Sequence, residues 1–161
     1  MARRALAVAM EKAATTGVGI VSVRNSNHIG MLAHYMRLAA GHQLIGIVAA
    51  NGGPVTAPWG GSEAMFGTNP LSVGVPADPD PIILDMATST VARGQIRKAQ
   101  RQGRAIPATW ATGPDGEPTT DAAQAMLGLL LPLGGHKGSG LALMVELLTG
   151  VLGGSAWGRM S

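Results

Sequence analysis

The chain has 161 residues, of which 46% are hydrophobic and 13% charged, a composition that excludes an intrinsically disordered protein. It has no cysteine, which excludes disulfides, thiolate nucleophiles and cysteine-based metal sites. The net charge of +3 is too small to indicate nucleic acid, and neither a membrane span nor a signal peptide is recognisable, so we expect a cytoplasmic protein.

Helices and strands are expected to alternate through the first third of the chain. The predicted elements are a helix over residues 2–14, a strand over 18–23, a helix that ends at Gly41 and a buried strand over 44–50. One face of the second helix carries Leu32, Tyr35, Met36 and Ala39. Ser26 or Asn27 is expected to cap the start of that helix.

Turns rich in glycine and proline divide the middle of the chain and separate two more strands, predicted over 71–75 and 82–85. These short strands suggest a meander beside the earlier ones. The fold class we expect is therefore α/β, a single domain over residues 1–161 with a layered mixed sheet and flanking helices. A helix from about Val91 and a short helix capped by Asp121 are expected to follow.

A glycine-rich bend leads into an apolar helix near the end of the chain. The bend contains Gly134, Gly135, His136, Lys137, Gly138 and Gly140. The helix is predicted over 141–152, buried on nearly all sides, with Glu146 as its single charge. Free N–H groups at the helix start, together with Lys137, would suit an anion, although a flexible loop with an exposed lysine fits the local sequence equally well. The glycine order matches neither the Rossmann G-x-G-x-x-G nor the P-loop.

The histidines are His28, His34, His42 and His136. Their spacing offers no metal-ligand pair, so we expect no metal site. His28 stands where a predicted strand leads into a helix, beside Ser26 and Asn27, which could hold its ring. Because histidine exchanges a proton readily near neutral pH, His28 is a candidate general acid or base, with a capping or solvent-exposed histidine as the alternative.

A polar run, Asp85 to Ser89, follows the last predicted strand. Polar side chains at the carboxyl end of a strand often contact ligands in α/β folds. Thr88 or Ser89 could instead cap the next helix.

That next helix carries five basic residues, which are Arg93, Arg97, Lys98, Arg101 and Arg104. Most such runs are solvent-exposed helix faces. Binding of nucleic acid through them would call for aromatic stacking residues, and the chain has one tyrosine and one phenylalanine.

Four motif regions occur in one order along the chain. They are Ser-Asn-His-Ile-Gly at 26–30, Ala-Pro-Trp-Gly-Gly at 57–61 with Gly-Thr-Asn-Pro-Leu at 67–71, Asp-Met-Ala-Thr-Ser at 85–89, and Pro-Leu-Gly-Gly-His-Lys-Gly-Ser-Gly-Leu-Ala-Leu-Met at 132–144. In these motifs and their spacing the chain resembles the malate/L-lactate dehydrogenase-like oxidoreductases, which include the ureidoglycolate dehydrogenase and diketogulonate reductase type. The resemblance extends over almost the whole chain.

The resemblance implies an enzyme that transfers a hydride between NAD or NADP and C2 of a small 2-oxo, 2-hydroxy or imino acid. It also implies a non-Rossmann nicotinamide-binding domain and a homodimer, with neither nucleic acid nor a membrane as a partner. It assigns the acid/base role to His28. The cofactor contacts that it implies are Gly52, Asp85, Met86, Ala87, Thr88, His136 and Lys137. Among these, it implies that Gly52 lines the nicotinamide pocket.

The sequence also departs from the family's pattern. Family members are longer and carry an upstream Ser-His-Gly run with an arginine that grips the substrate carboxylate, and this chain contains no Ser-His-Gly. We therefore expect the cofactor-binding core of a longer enzyme. The alternative is a catalytically inactive nucleotide-binding or interaction module derived from that enzyme.

Overall fold

The computed structural model, which describes residues 1–158, combines a small sheet with helices. In chain order the elements are α1 (Ala2–Thr16), α2 (Ala33–Gly41), β1 (Gly46–Ala49), β2 (Leu71–Val75), β3 (Ile82–Met86), α3 (Arg93–Arg101), α4 (Ala122–Leu127) and α5 (His136–Glu146), with a π-helical turn (Leu147–Val151) directly after α5. The predicted α/β class, with helices flanking a sheet, is confirmed. No helix in the described range has the length and apolar character needed to cross a bilayer.

The sheet is a meander in the order β1-β2-β3, and both strand pairs are antiparallel. The sheet is therefore antiparallel rather than mixed. A parallel pairing occurs outside it, at the isolated bridge between Thr56 and Leu130. The connection from β2 to β3 covers only residues 76–81, so this pair is antiparallel, because a parallel pair of strands would require a crossover of about a dozen residues or more.

Helix α2 packs closely on one face of the sheet because glycines lie beneath it. A Cβ atom added to Gly74 would lie 2.7 Å from Cβ of Met36, and one added to Gly46 would lie 2.9 Å from the end of the same side chain. The predicted face of α2 is buried as expected, and its members are Leu32, Tyr35, Met36 and Ala39. Met36 lies at the centre of this contact, and it is only 1% exposed.

The opposite face of the sheet is apolar and exposed. Ile47, Val73 and Leu84 lie side by side there in the strand register. Ile47 is 70% exposed and Leu84 is 50% exposed. The expectation that the strand near 44–50 is buried is therefore wrong for this face, because β1 is covered by α2 on one side only.

The predicted strand over 18–23 does not form. Its β-branched residues find no partner strand in the described part of the chain, and Val18 and Ile20 are largely exposed. The segment instead runs back along α1, where Gly19 lies directly against the backbone carbonyl of Ala9. Strand propensity without a neighbouring edge does not produce a strand, because a sheet is stabilised by its cross-strand pairs.

Helix α4 begins as predicted, at Asp121. Its carboxylate accepts hydrogen bonds from the backbone N–H groups of Ala123 at 2.7 Å and Gln124 at 3.4 Å. The cap orders a helix that packs against α3 in the main apolar cluster of the described chain. That cluster comprises Ile96, Ala99, Ile106, Ala111, Ala122, Ala125 and Leu130.

Replacing Asp121 by alanine should lower the free energy of unfolding by about 1 kcal/mol, the usual cost of an N-cap lost from a helix. Thermal unfolding followed by circular dichroism measures the change. Asp115→Ala is the matched control, since Asp115 accepts a hydrogen bond within an exposed turn but caps no helix. Equal stability of the Asp121 variant and the wild type would contradict the capping role.

Helix α5 differs from the prediction in its start and in its buried face. It begins at His136, so that Gly138 and Gly140 belong to the helix rather than to the bend. The residues it buries are Gly138, Ser139, Ala142, Val145 and Glu146. Its large apolar side chains point outward, and Leu148 in the following turn is 54% exposed. The prediction of a helix buried on nearly all sides is wrong. On its buried side the backbone of α5 lies so close to neighbouring segments that mainly small side chains fit there.

Candidate cofactor site

The glycine-rich bend is the ordered entry into α5. Gly134 and Gly135 have positive φ angles of 59° and 67°, which glycine adopts without strain. The N–H of Gly135 donates to the carbonyl of Pro132 at 3.2 Å, and that of Ser139 donates to the carbonyl of Gly135 at 3.2 Å. The alternative of a flexible loop is therefore not what the chain forms.

His136 and Lys137 are exposed in the first turn of α5. Helical geometry leaves the N–H groups of a first turn without helical acceptors, and the helix dipole adds partial positive charge there. With the ammonium group of Lys137 alongside, this end of the helix can bind an anion such as a phosphate.

Trp59 lies against the same turn, although sequence reasoning did not select it as a site residue. Its backbone N–H donates to the hydroxyl of Ser139 at 2.9 Å. Its ring centroid is 6.4 Å from that of His136, with the ring planes at 66°. The indole is 63% exposed, so one large aromatic surface borders the start of α5. The signal available in the sequence was an isolated tryptophan in a rigid Pro-Trp-Gly-Gly corner.

Thr88 joins three of the motifs that the sequence singled out. Its N–H and its hydroxyl donate to the carbonyl of Thr68 at 2.9 Å and 3.0 Å. Its own carbonyl accepts from the N–H of Leu133 at 2.9 Å, just before the bend. The structure thus brings residues 67–71, 85–89 and 132–138 together. Thr88 is only 1% exposed, so its side chain holds neighbouring segments in place.

The alternative role of Thr88 or Ser89 as a helix cap is wrong. The N-cap of α3 is Ala92, which makes no side-chain capping bond. The hydroxyl of Ser89 donates instead to the carbonyl of Val91 at 2.8 Å. Met86 and Ala87, next to Thr88, remain partly exposed.

Asp85 connects the end of β3 with the start of α2. Its Oδ2 accepts from the N–H of Ala33 at 2.8 Å. This carboxylate therefore occupies the place at α2 that Ser26 or Asn27 was expected to fill, and that expectation is wrong, since the N-cap residue is Leu32. A negative charge at a helix start is favourable, and here it comes from another element of the fold.

His28 lies in an exposed turn that leads into α2. Its Nδ1 accepts a hydrogen bond from the N–H of Gly30 at 3.0 Å, and the hydroxyl of Tyr35 donates to the carbonyl of Ile29 at 2.7 Å. The ring is thus oriented by Gly30 rather than by Ser26 or Asn27. With Nδ1 as an acceptor, the neutral ring carries its proton on Nε2, which is available as a donor to a carbonyl oxygen.

Gly52 lies at a second corner, after β1. A Cβ atom added to Gly67 would be 2.6 Å from the carbonyl oxygen of Gly52, so the two corners are in close contact. The preceding residue, Asn51, is hydrogen-bonded to Glu146 of α5 at 3.2 Å. Sequence reasoning noted Glu146 only as a lone charge, yet its isolation in an apolar helix was the signal of a special role.

The basic residues of α3 lie mostly in solvent. Arg97, Lys98 and Arg101 are exposed, as expected for a solvated helix face. Arg104, which was predicted on the same helix, is also exposed but lies beyond the end of α3. Arg93 differs, because its guanidinium donates to the carbonyl of Met126 at 2.8 Å and so ties α3 to α4. Across residues 1–158, no three His, Cys, Asp or Glu side chains are grouped as metal ligands.

The structure combines an α/β arrangement with a glycine-rich helix start that is held beside the 67–71 and 85–89 segments. The sequence profile of the malate/L-lactate dehydrogenase family matches residues 1–161. The chain belongs to this family, and the resemblance inferred from its motifs is confirmed.

Three relatives illustrate the match. The chain is 46% identical to L-sulfolactate dehydrogenase of Methanothermobacter thermautotrophicus over 98% of its own length and 46% of that protein's. The crystal structure of a dehydrogenase from Sinorhizobium meliloti superposes with a TM-score of 0.92 at 43% identity, over 98% of this chain and 46% of that one. The structure of delta1-piperideine-2-carboxylate reductase from Pseudomonas syringae superposes with a TM-score of 0.92 at 38% identity, over 96% of this chain and 47% of that one. The chain thus spans about half the length of the curated relatives it matches.

Proposed function

We propose that residues 1–161 are the cofactor-binding core of an oxidoreductase that moves a hydride between NAD or NADP and a small 2-oxo, 2-hydroxy or imino acid. The observation that carries the proposal is the junction at Thr88, which gathers three motifs around the exposed first turn of α5. The relatives support it, since their names describe a sulfolactate dehydrogenase and a piperideine-2-carboxylate reductase.

The residues at this junction fit a dinucleotide. The start of α5 and Lys137 offer N–H donors and positive charge for phosphates, and the exposed ring of Trp59 offers an apolar surface beside them. The cofactor contacts that we propose are Gly52, Asp85, Met86, Ala87, His136 and Lys137, while Thr88, which is only 1% exposed, holds these segments in place. A bound nicotinamide supplies or accepts the hydride, and the protein binds and orients it.

We assign the proton donor and acceptor to His28. Its Nε2–H can donate to the oxygen on C2 of a 2-oxo acid and polarise that carbonyl. Transfer of a proton from Nε2 requires a charged ring, so Nδ1 must release the N–H of Gly30 and take up a proton. The Tyr35 bond to Ile29 keeps the turn in place while the ring changes its partner.

The proposal includes a homodimer and a non-Rossmann mode of cofactor binding. Exposed apolar side chains on α5 and on the π-helical turn support self-association, because patches of this kind drive assembly. The non-Rossmann mode of binding is supported by the antiparallel meander and by the absence of a G-x-G-x-x-G motif.

Replacing Lys137 by alanine should weaken binding of NADH or NADPH by about 1–3 kcal/mol, the range for a hydrogen bond to a charged group. Titration of nucleotide fluorescence against the protein measures this effect. Arg97→Ala and Arg101→Ala are the controls, since they also remove a positive charge but lie on the exposed face of α3. A loss of NADPH affinity confined to the arginine variants would show that α3 reads the 2′-phosphate and that the assignment of Lys137 is wrong.

A further inference from the structure

Glu146 is a buried carboxylate with no assigned role. It is 1% exposed at the end of α5, and three amide groups point at it. Its Oε1 accepts from Asn51 Nδ2 at 3.2 Å and from the N–H of Gly158 at 2.9 Å. Its Oε2 accepts from Asn69 Nδ2 at 2.7 Å. Burial of a carboxylate is costly, so a fully hydrogen-bonded one at this depth indicates a specific structural task.

Two of the three donors come from the two corners at the proposed site. Asn51 directly precedes Gly52, and its Nδ2 also donates to the carbonyl of Ala156 at 3.0 Å. Asn69 follows Thr68, whose carbonyl receives both hydrogen bonds from Thr88. Because Glu146 binds both asparagines, one side chain of α5 fixes the position of both corners.

Asn69 shows how tightly this contact is specified. It is completely buried and has a positive φ of 36°, an unusual conformation for a residue with a side chain. Its Nδ2 also donates to the carbonyl of Ala142 at 3.0 Å. The amide cannot turn over, because its Oδ1 would then face the oxygens of both Ala142 and Glu146.

A carboxylate is therefore required at position 146. In a glutamine, one oxygen would be replaced by an NH₂ group, which would face the N–H of Asn69 or those of Asn51 and Gly158. Gly150, in the π-helical turn that follows, leaves room for the contact because it has no side chain. A Cβ atom added to Gly150 would lie 3.2 Å from Asn51 Nδ2 and 2.7 Å from Cβ of Trp157.

We propose that Glu146 is a positioning residue that orients the Asn51–Gly52 corner. This inference rests on the proposed function, in which Gly52 lines the nicotinamide pocket as the family resemblance implies. Glu146 acts through Asn51 and does not itself touch the ligand. In the proposed function, the start of α5 and Lys137 hold the phosphates of the cofactor, on a different set of contacts. Loss of Glu146 should therefore affect the two ends of the cofactor unequally.

Calorimetric titration of the chain with NADH and with ADP-ribose, which lacks nicotinamide, tests this inequality. Glu146→Gln should bind NADH about tenfold or more weakly, the effect of one donor left without an acceptor, and should bind ADP-ribose within about twofold of wild type. Asn51→Ala should show the same selectivity to a smaller degree. The Asn51 variant keeps the hydrogen bonds from Asn69 and Gly158 to Glu146. Its selectivity between NADH and ADP-ribose therefore tests the inference even if the Glu146 variant does not fold.

Two controls separate positioning from general damage. Glu117→Gln removes an exposed negative charge and should leave both affinities unchanged. Ile96→Val loosens the apolar cluster between α3 and α4 and should lower the melting temperature without selectivity between the ligands. Equal weakening of NADH and ADP-ribose in the Glu146 and Asn51 variants, or no weakening of either, overturns the inference. Failure of the wild type to bind NADH overturns the proposed function itself.

Discussion

Replacing His28 by alanine should lower turnover of the active enzyme about 100-fold or more, the usual loss when a general acid or base is removed. The alanine side chain cannot donate to the oxygen on C2, and the proton then has to come from water. Binding of NADH should stay within about twofold of wild type, because the hydroxyl of Tyr35 still holds the carbonyl of Ile29 in the turn that carries residue 28. Consumption of NADH with pyruvate, oxaloacetate and cyclic imino acids measures the turnover.

His42→Ala is the matched control for this experiment. His42 is exposed at the other end of α2 and serves only as the C-cap position of that helix. Near-normal turnover of the His28 variant would remove this residue from the chemistry. A loss of turnover shared by both variants would point to damage in α2 rather than to a missing proton donor.

The fold was predictable where its signals lie close together in sequence. The buried face of α2 repeats every three to four residues, and the cap at Asp121 acts on N–H groups two and three positions away. Both predictions are confirmed by the structure. The strands over 71–75 and 82–85 are likewise found at their predicted positions, because a turn of fixed chemistry separates them.

The remaining features depend on partners far away in the chain. Asn51 and Asn69 precede Glu146 by 95 and 77 residues, and no local pattern connects them. The apolar residues of α5 suggested a buried helix, but its small residues form the inward face. Strand propensity at 18–23 was also misleading, since an exposed segment needs a neighbouring edge to become a strand. Local periodicity identifies an element, and only tertiary contacts decide which of its faces is covered.

Sequence motifs predicted which stretches contribute to the candidate site, but they did not predict how these stretches are arranged. Asp85 to Thr88 and the residues around Lys137 were selected as separate stretches, and the hydrogen bond between Thr88 and Leu133 joins them in the structure. Whether each one contacts a cofactor stays a prediction. Gly138, in the first turn of α5, packs directly on the backbone of Leu133, so a substitution there tests this hydrogen bond.

Gly138→Ala should destabilise the protein by about 3 kcal/mol, as expected when a methyl group is forced into a filled space. A Cβ atom there would overlap the carbonyl oxygen of Leu133 and lie 2.6 Å from its nitrogen. Both are backbone atoms, so they can give way only if the bend moves. Because the N–H of Leu133 is the group that holds Thr88, this movement would also separate the 85–89 segment from the start of α5.

Gly140→Ala is the control that the helix itself provides. Gly140 lies two residues further along α5, and a Cβ atom there would meet nothing within 4 Å. Alanine is the better helix former by up to about 1 kcal/mol, so this variant should be slightly more stable than wild type.

The melting temperature of Gly138→Ala should fall by about 10 °C, while that of Gly140→Ala should be unchanged or higher. NADH affinity should fall in the Gly138 variant alone, since only this substitution displaces the bend. Equal melting temperatures for the two variants would mean that the bend moves at little cost in stability and that the junction at Thr88 does not depend on Gly138.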